Sequence, residues 1–175
     1  MSHAPRAEKD SPAAEGRIGI KPGSLRRIKI FADLEEDHLE TFLRYLEVLS
    51  FKQFSEVVHK GDHGDAMFMV LEGELRARLM IDGKESTLTT IGVGESFGEI
   101  SLLDHGPRSA DVVANQDSVL LKLSAATFEK LVPEAPELAA PFLFAVSRSV
   151  AVRVRILTKR YEDSIHWSRT AGVTH

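Results

Sequence analysis

The stretch that decides the fold runs Gly94-Glu95-Ser96-Phe97-Gly98-Glu99-Ile100-Ser101-Leu102-Leu103-Asp104-His105-Gly106-Pro107-Arg108-Ser109-Ala110. Gly94 and Gly98 allow backbone conformations and close approaches that a Cβ would forbid. Gly98 to Leu103 has the length of about one and a half helical turns. The first N–H groups of such a turn lack helical partners and suit an anion. Gly106-Pro107 ends the turn and sets the direction of Arg108. A guanidinium facing unpaired N–H groups is the second half of an anion clamp, because its planar fork matches phosphate oxygens. Ser109 adds a hydroxyl donor. Glu99 brings the opposite chemistry: a carboxylate only accepts hydrogen bonds and repels phosphate, so its natural partner is a sugar hydroxyl. Clamp and acceptor together point to a ribose phosphate. The blander readings are a surface ion pair from Arg108 to Asp104 or Asp111 and a dipole-stabilised carboxylate at Glu99. Gly98, Glu99 and Pro107 in register with Arg108 favour the clamp.

Around this stretch the sequence alternates in short β-like runs from Phe51 to about Leu123: Glu56–His59, Ala66–Glu72, Glu74–Ile81, Glu85–Ile91, Ala110–Ala114 and Ser118–Leu123. Gly- or Asp-containing turns separate them, and Asp82-Gly83 is a strong hairpin signal. Many short strands at near-regular spacing predict an antiparallel sandwich or barrel. Upstream, the apolar spacing predicts a short helix near 25–30 and a second near 35–47, with Asp33 as N-cap and Glu36 at the capping-box position. Downstream, Ser124 is placed to cap a short helix through Leu131, and Pro133 and Pro136 then interrupt. Leu138, Phe142, Val146, Val150, Val154, Leu157 and Tyr161 follow as one apolar stripe along a long helix. Pro141 marks its start or a kink. Arg148, Arg153, Arg155, Lys159 and Arg160 lie on its other faces. Residues 1–23 read as a flexible arm and 164–175 as a frayed tail. One domain is therefore expected over 24–163, with a β-roll over about 50–123 and C-terminal helices over about 124–163.

Composition excludes several classes. A net charge of −4 in 175 residues gives no whole-chain reason to expect nucleic acid. With no cysteine, disulfide scaffolds, thiolate zinc sites, iron–sulfur clusters and cysteine nucleophiles are absent. No apolar run is long enough to span a membrane. Met1 to Pro12 lacks a signal core, so a cytoplasmic protein is expected. His59 and His63 fall in a strand-to-turn region, and no metal-binding His pattern appears. No P-loop or Ser/His/Asp context is visible either. Neither a catalytic cofactor nor an enzyme activity is expected.

The 94–110 stretch resembles the phosphate-binding cassette of cyclic-nucleotide-binding domains, whose signature is F-G-E, a short helix, then P-R-(A/S/T)-A. Here these are Phe97-Gly98-Glu99 and Pro107-Arg108-Ser109-Ala110. The likeness extends to the Lys60-Gly61-Asp62 turn, to Met67-Phe68-Met69-Val70-Leu71-Glu72-Gly73-Glu74-Leu75, to Ile30–Leu34 and to Ser124–Tyr161, or about residues 25–160 in all. The resemblance implies an eight-stranded antiparallel β jelly roll flanked by helices. It implies that Glu99 accepts the ribose 2′-hydroxyl. It implies that Arg108 binds the cyclic phosphate with the Gly98 and Glu99 N–H groups and Ser109. Phe97, Ile100, Ser101 and Ala110 complete the ligand-binding segment. A side chain of the C-terminal helix would cap the base, and Arg153 and Arg155 are the candidates.

The expected function is a stand-alone receptor for a cyclic nucleoside monophosphate, cyclic AMP favoured over cyclic GMP, that moves its C-terminal helix toward a partner protein. The alternative is a module for cyclic dinucleotides, or for ligand-independent protein contacts, on the same fold. The catabolite-activator branch adds a helix-turn-helix, for which the 14 residues after Tyr161 leave no room. DNA binding by this chain alone is not expected. The distal stripe, Val150 to Tyr161, suits a homodimer through the C-terminal helix.

Overall fold

In strand Ala66–Glu72, Met67 and Met69 face one side and Ala66, Phe68 and Val70 the other, and all five are buried. Such a strand needs cover on both faces, and the fold supplies helices on one and a second sheet on the other. The computed structural model describes residues 20–171. Its strands are β1 (Glu47–Phe51), β2 (Glu56–Val58), β3 (Ala66–Glu72), β4 (Glu74–Ile81), β5 (Lys84–Gly92), β6 (Ser96–Phe97), β7 (Asp111–Ala114) and β8 (Ser118–Ser124). They form two antiparallel sheets, ordered β1-β8-β3-β6 and β2-β7-β4-β5. Between the sheets pack Phe68, Val70, Leu75, Ile91, Phe97, Val112 and Leu120. This is the eight-stranded jelly roll that the resemblance implied.

The helices are α1 (Pro22–Leu25), α2 (Glu36–Phe42), α3 (Glu99–Asp104), α4 (Ala125–Glu134) and α5 (Pro136–Ala171). An aromatic knot holds them to β3 and β8. Phe142 of α5 lies 4.8 Å from Phe42, 5.5 Å from Phe128 and 5.8 Å from Phe31, centroid to centroid. Ser124 caps α4, its hydroxyl accepting from the Thr127 N–H. α5 has 36 residues and is about 54 Å long. Its proximal half is anchored by Leu138, Phe142 and Val146, all buried. Among the described residues no helix is long and apolar enough to cross a membrane.

Several boundaries differ from the sequence reading. The expected helix near 25–30 is split into α1 and a 3-10 turn at Lys29–Phe31. Residues 1–19 of the expected arm lie outside the described residues, and 22–23 of it belong to α1 with Leu25 fully buried. Asp33 is not an N-cap: Glu35 occupies that position without a side-chain bond, and Asp33 pairs with Arg148 at 2.6 Å. The expected helix over 35–47 ends at Phe42, with a 3-10 turn at Leu43–Tyr45. Glu47–Phe51 becomes a strand because β8 offers it a full register from Glu47↔Lys122 to Phe51↔Ser118, which outweighs helical spacing. Pro133 sits inside α4, and the break falls at Ala135. The expected frayed tail over 164–175 is instead helical to Ala171, and 172–175 lie outside the described residues.

Candidate functional site

The 94–110 stretch forms the floor of a cavity of about 700 Å³. Gly98 stands between β6 and α3 with φ +81, and a Cβ there would lie 2.6 Å from Arg108 Nη1 and 2.8 Å from the Ala66 carbonyl. Only glycine lets the chain turn so close to the guanidinium. Arg108 is only 7 % exposed. Its Nη1 donates to the Ala66 carbonyl at 2.7 Å, and its guanidinium carbon lies 5.6 Å from the Phe68 ring centre. Phe68 is stacked on Phe97 at 5.1 Å. The nearest carboxylate is exposed Asp65, at 3.9 Å from Nη2. Neither Asp104 nor Asp111 pairs with Arg108: Asp104 accepts from the Gly106 N–H, and Asp111 from the Lys60 N–H. Burial presses the Arg108 pKa below the usual arginine value, against the pull of Asp65 and Asp62. This is a desolvated cation with little compensation, a setting that an incoming anion would relieve.

The backbone around Arg108 is fixed from behind. Its N–H donates to the Asp62 carbonyl and its carbonyl accepts from the Gly61 N–H, both at 2.9 Å. The Lys60-Gly61-Asp62 turn therefore holds the Arg108 backbone in place. Glu99, the first residue of α3, is 2 % exposed. Its Oε1 accepts from Ser96 Oγ at 2.5 Å and its Oε2 from Arg153 Nη1 at 2.9 Å. Arg153 also donates to the Ser96 carbonyl. Phe97 and Ser101 are buried, Ala110 is half-buried, and Ile100 and Ser109 are exposed. All five line the cavity with Gly98, Glu99 and Arg108.

α5 forms the opposite wall through Ser149, Val152, Arg153, Ile156, Leu157 and Arg160. This separates the two candidate base-capping arginines. Arg153 belongs to the wall, but its guanidinium is engaged with Glu99 and Ser96. Arg155 is not at the cavity: two positions on along a helix means about 200° around it, and Arg155 is exposed. Sequence reading missed Ser96, Leu88 and Arg160. Ser149, Arg153, Ile156 and Arg160 recur at spacings of four, three and four, the pattern of a single helix face, so the last could have been found. Two of the described histidines stand in ion pairs. His59 meets Glu56 and Asp111 at 3.2 Å, and Arg78 stands 3.6 Å from both carboxylates, so a fixed cation already neutralises that cluster. His105 pairs with Glu129 of α4.

A buried guanidinium and a buried carboxylate on one floor can hold an anion and a hydroxyl of the same small molecule. Residues 48–134 match the family profile described as cyclic nucleotide-binding domain. The chain belongs to the cyclic-nucleotide-binding domain family. It is 36 % identical over 108 residues to the cyclic AMP receptor protein of Thermus thermophilus, covering 61 % of this chain and 50 % of that one. It is 30 % identical to the N-terminal domain of a transcriptional regulator from Streptomyces coelicolor, with a TM-score of 0.67, covering 74 % and 94 % of the two chains. A cyclic nucleotide-binding domain from Methylobacillus flagellatus shares the fold, with a TM-score of 0.73 at 24 % identity over 82 % of each chain. The chain spans about half or less of the length of the curated relatives first matched.

Proposed function

We propose that this chain is a receptor for a 3′,5′-cyclic nucleoside monophosphate, cyclic AMP before cyclic GMP, and that it works by moving α5 rather than by catalysis. The observation that carries the reading is the buried pair Arg108 and Glu99 on one cavity floor, inside the segment that bears the family signature. Arg108, Ser109 and the Gly98 and Glu99 N–H groups take the cyclic phosphate. Glu99 takes the ribose 2′-hydroxyl. The preference for adenine is supported by the name of the Thermus relative, a cyclic AMP receptor protein.

The signal follows from what Glu99 now holds. Arg153 of α5 is bound to the same carboxylate that the ribose would use. A ligand at Glu99 therefore changes the tie between floor and helix. It shifts α5 only as far as its affinities for the two helix positions differ. α5 has a surface ready to report that shift. Val154, Leu157 and Tyr161 are 56 %, 61 % and 69 % exposed, on one stripe that begins buried at Leu138. A stripe of this spacing fits a second copy of the same helix. A homodimer through α5, read by a partner protein in the cytoplasm, completes the proposal.

Equilibrium dialysis of ligand-free protein against cyclic AMP, cyclic GMP and a cyclic dinucleotide tests the reading. Saturable binding of cyclic AMP, weakened in its 2′-deoxy analogue, is the expected result. Binding of the dinucleotide alone, or of none of the three, would overturn it.

A further inference from the structure

β4 and β5 pair residue for residue from Ile81↔Lys84 to Arg78↔Thr87, and the ladder resumes at Ala77↔Thr89. Leu88 is the residue left over, a β-bulge. β5 is an edge strand, and residues 84–90 of it are exposed, so packing within this sheet does not require the bulge. A bulged residue leaves the ladder and turns its groups in a new direction. Here Leu88 lines the cavity, and its carbonyl accepts from Arg160 Nη1 of α5 at 3.1 Å. Arg160 lies two turns, about 10 Å, beyond Arg153.

α5 is thus tied across the cavity at two points of different chemistry. The Arg153 tie ends on Glu99, which the proposed ligand uses. The Arg160 tie ends on a main-chain carbonyl of the opposite rim. We propose that Arg160, seated on the Leu88 bulge, is a positioning residue that pins the distal half of α5 to the cavity rim in the empty and the filled protein alike, so that the ligand-driven shift of α5 is confined to the Arg153 end, and that release of the Arg160 tie is the step by which ligand enters and leaves. The nature of the ligand rests on the function proposed above; the tie does not.

A contact that holds the closed helix in both states slows entry and exit together. Its loss speeds both rates by about two- to tenfold, the worth of one hydrogen bond, and Kd moves less than either rate. A residue touching the ligand would change the off-rate and Kd together.

The chain has no cysteine, so a spin-label pair at Ser86→Cys and Glu162→Cys reports the β5–α5 separation without any ligand. The expected result is one narrow distance population in the parent, a second and longer population in Arg160→Ala, and partial recovery in Arg160→Lys. Stopped-flow with a fluorescent cyclic AMP analogue then shows both rates raised in Arg160→Ala. Identical distance populations in parent and Arg160→Ala would overturn the proposal. So would an off-rate that rises alone with a matching loss of affinity. If the parent binds no cyclic nucleotide while the label pair still opens, the ligand assignment falls and the tie stands.

Discussion

The floor of the cavity and its lid are held by different means. The floor is backbone and burial: Gly98 at positive φ, Arg108 locked to the Ala66 carbonyl and flanked by the Gly61–Asp62 turn, Glu99 almost wholly covered. The lid is a helix anchored at one end by an aromatic knot and then held by three arginine side chains, Arg148, Arg153 and Arg160, along a largely exposed length. A rigid floor keeps its donors aimed whether or not ligand is present. A lid held by a few side-chain bonds has two arrangements close in energy, which a small molecule can bias.

That contrast can be broken at graded cost. Phe142→Ala removes the hub of the knot, and a loss of about 3–5 kcal/mol of stability is expected in urea unfolding. A much smaller loss would mean that α5 is anchored elsewhere. Arg108→Ala removes the floor's only buried cation among the described residues. It should cost about 2–5 kcal/mol of cyclic nucleotide binding, the range for a desolvated charge pair losing one member, with the melting temperature nearly unchanged. Glu99→Ala should cost about 1–3 kcal/mol in binding, and in that variant the 2′-deoxy ligand should bind as well as the ordinary one. Val154→Asp puts a charge on the exposed stripe away from the cavity lining, and a dimer seen by analytical ultracentrifugation of the parent should dissociate in it. Arg155→Ala should leave affinity within about twofold, as expected of a surface substitution away from special contacts. A large effect there would return Arg155 to the site and undo the separation of the two arginines.

The floor was legible in the sequence; of the lid, the long helix and its apolar stripe were legible, but not which face it turns to the cavity. Gly98, Glu99, Pro107 and Arg108 are close neighbours in the chain, so their spacing carries their geometry. Strands bounded by turn residues, such as Ala66–Glu72 and Glu74–Ile81, were likewise readable to the residue. β1 was not, because Glu47–Phe51 is set by pairing with a strand about 70 residues away. The same holds for Arg153 and Arg160. Their partners, Glu99 and Leu88, lie 54 and 72 positions off, and only the docked helix shows which face meets the cavity. The Leu88 bulge has no local signature, since no glycine marks it. Asp33 shows the converse failure: a capping-box spacing present in sequence lost to an ion pair with Arg148, 115 positions away.

The most direct test of the account is calorimetric titration of ligand-free protein with cyclic AMP, beside Arg108→Ala. The account predicts one saturable site per chain in the parent and heat reduced to the level of dilution in the variant. Equal binding in parent and variant, or no heat in a folded parent shown to carry no nucleotide, would contradict it.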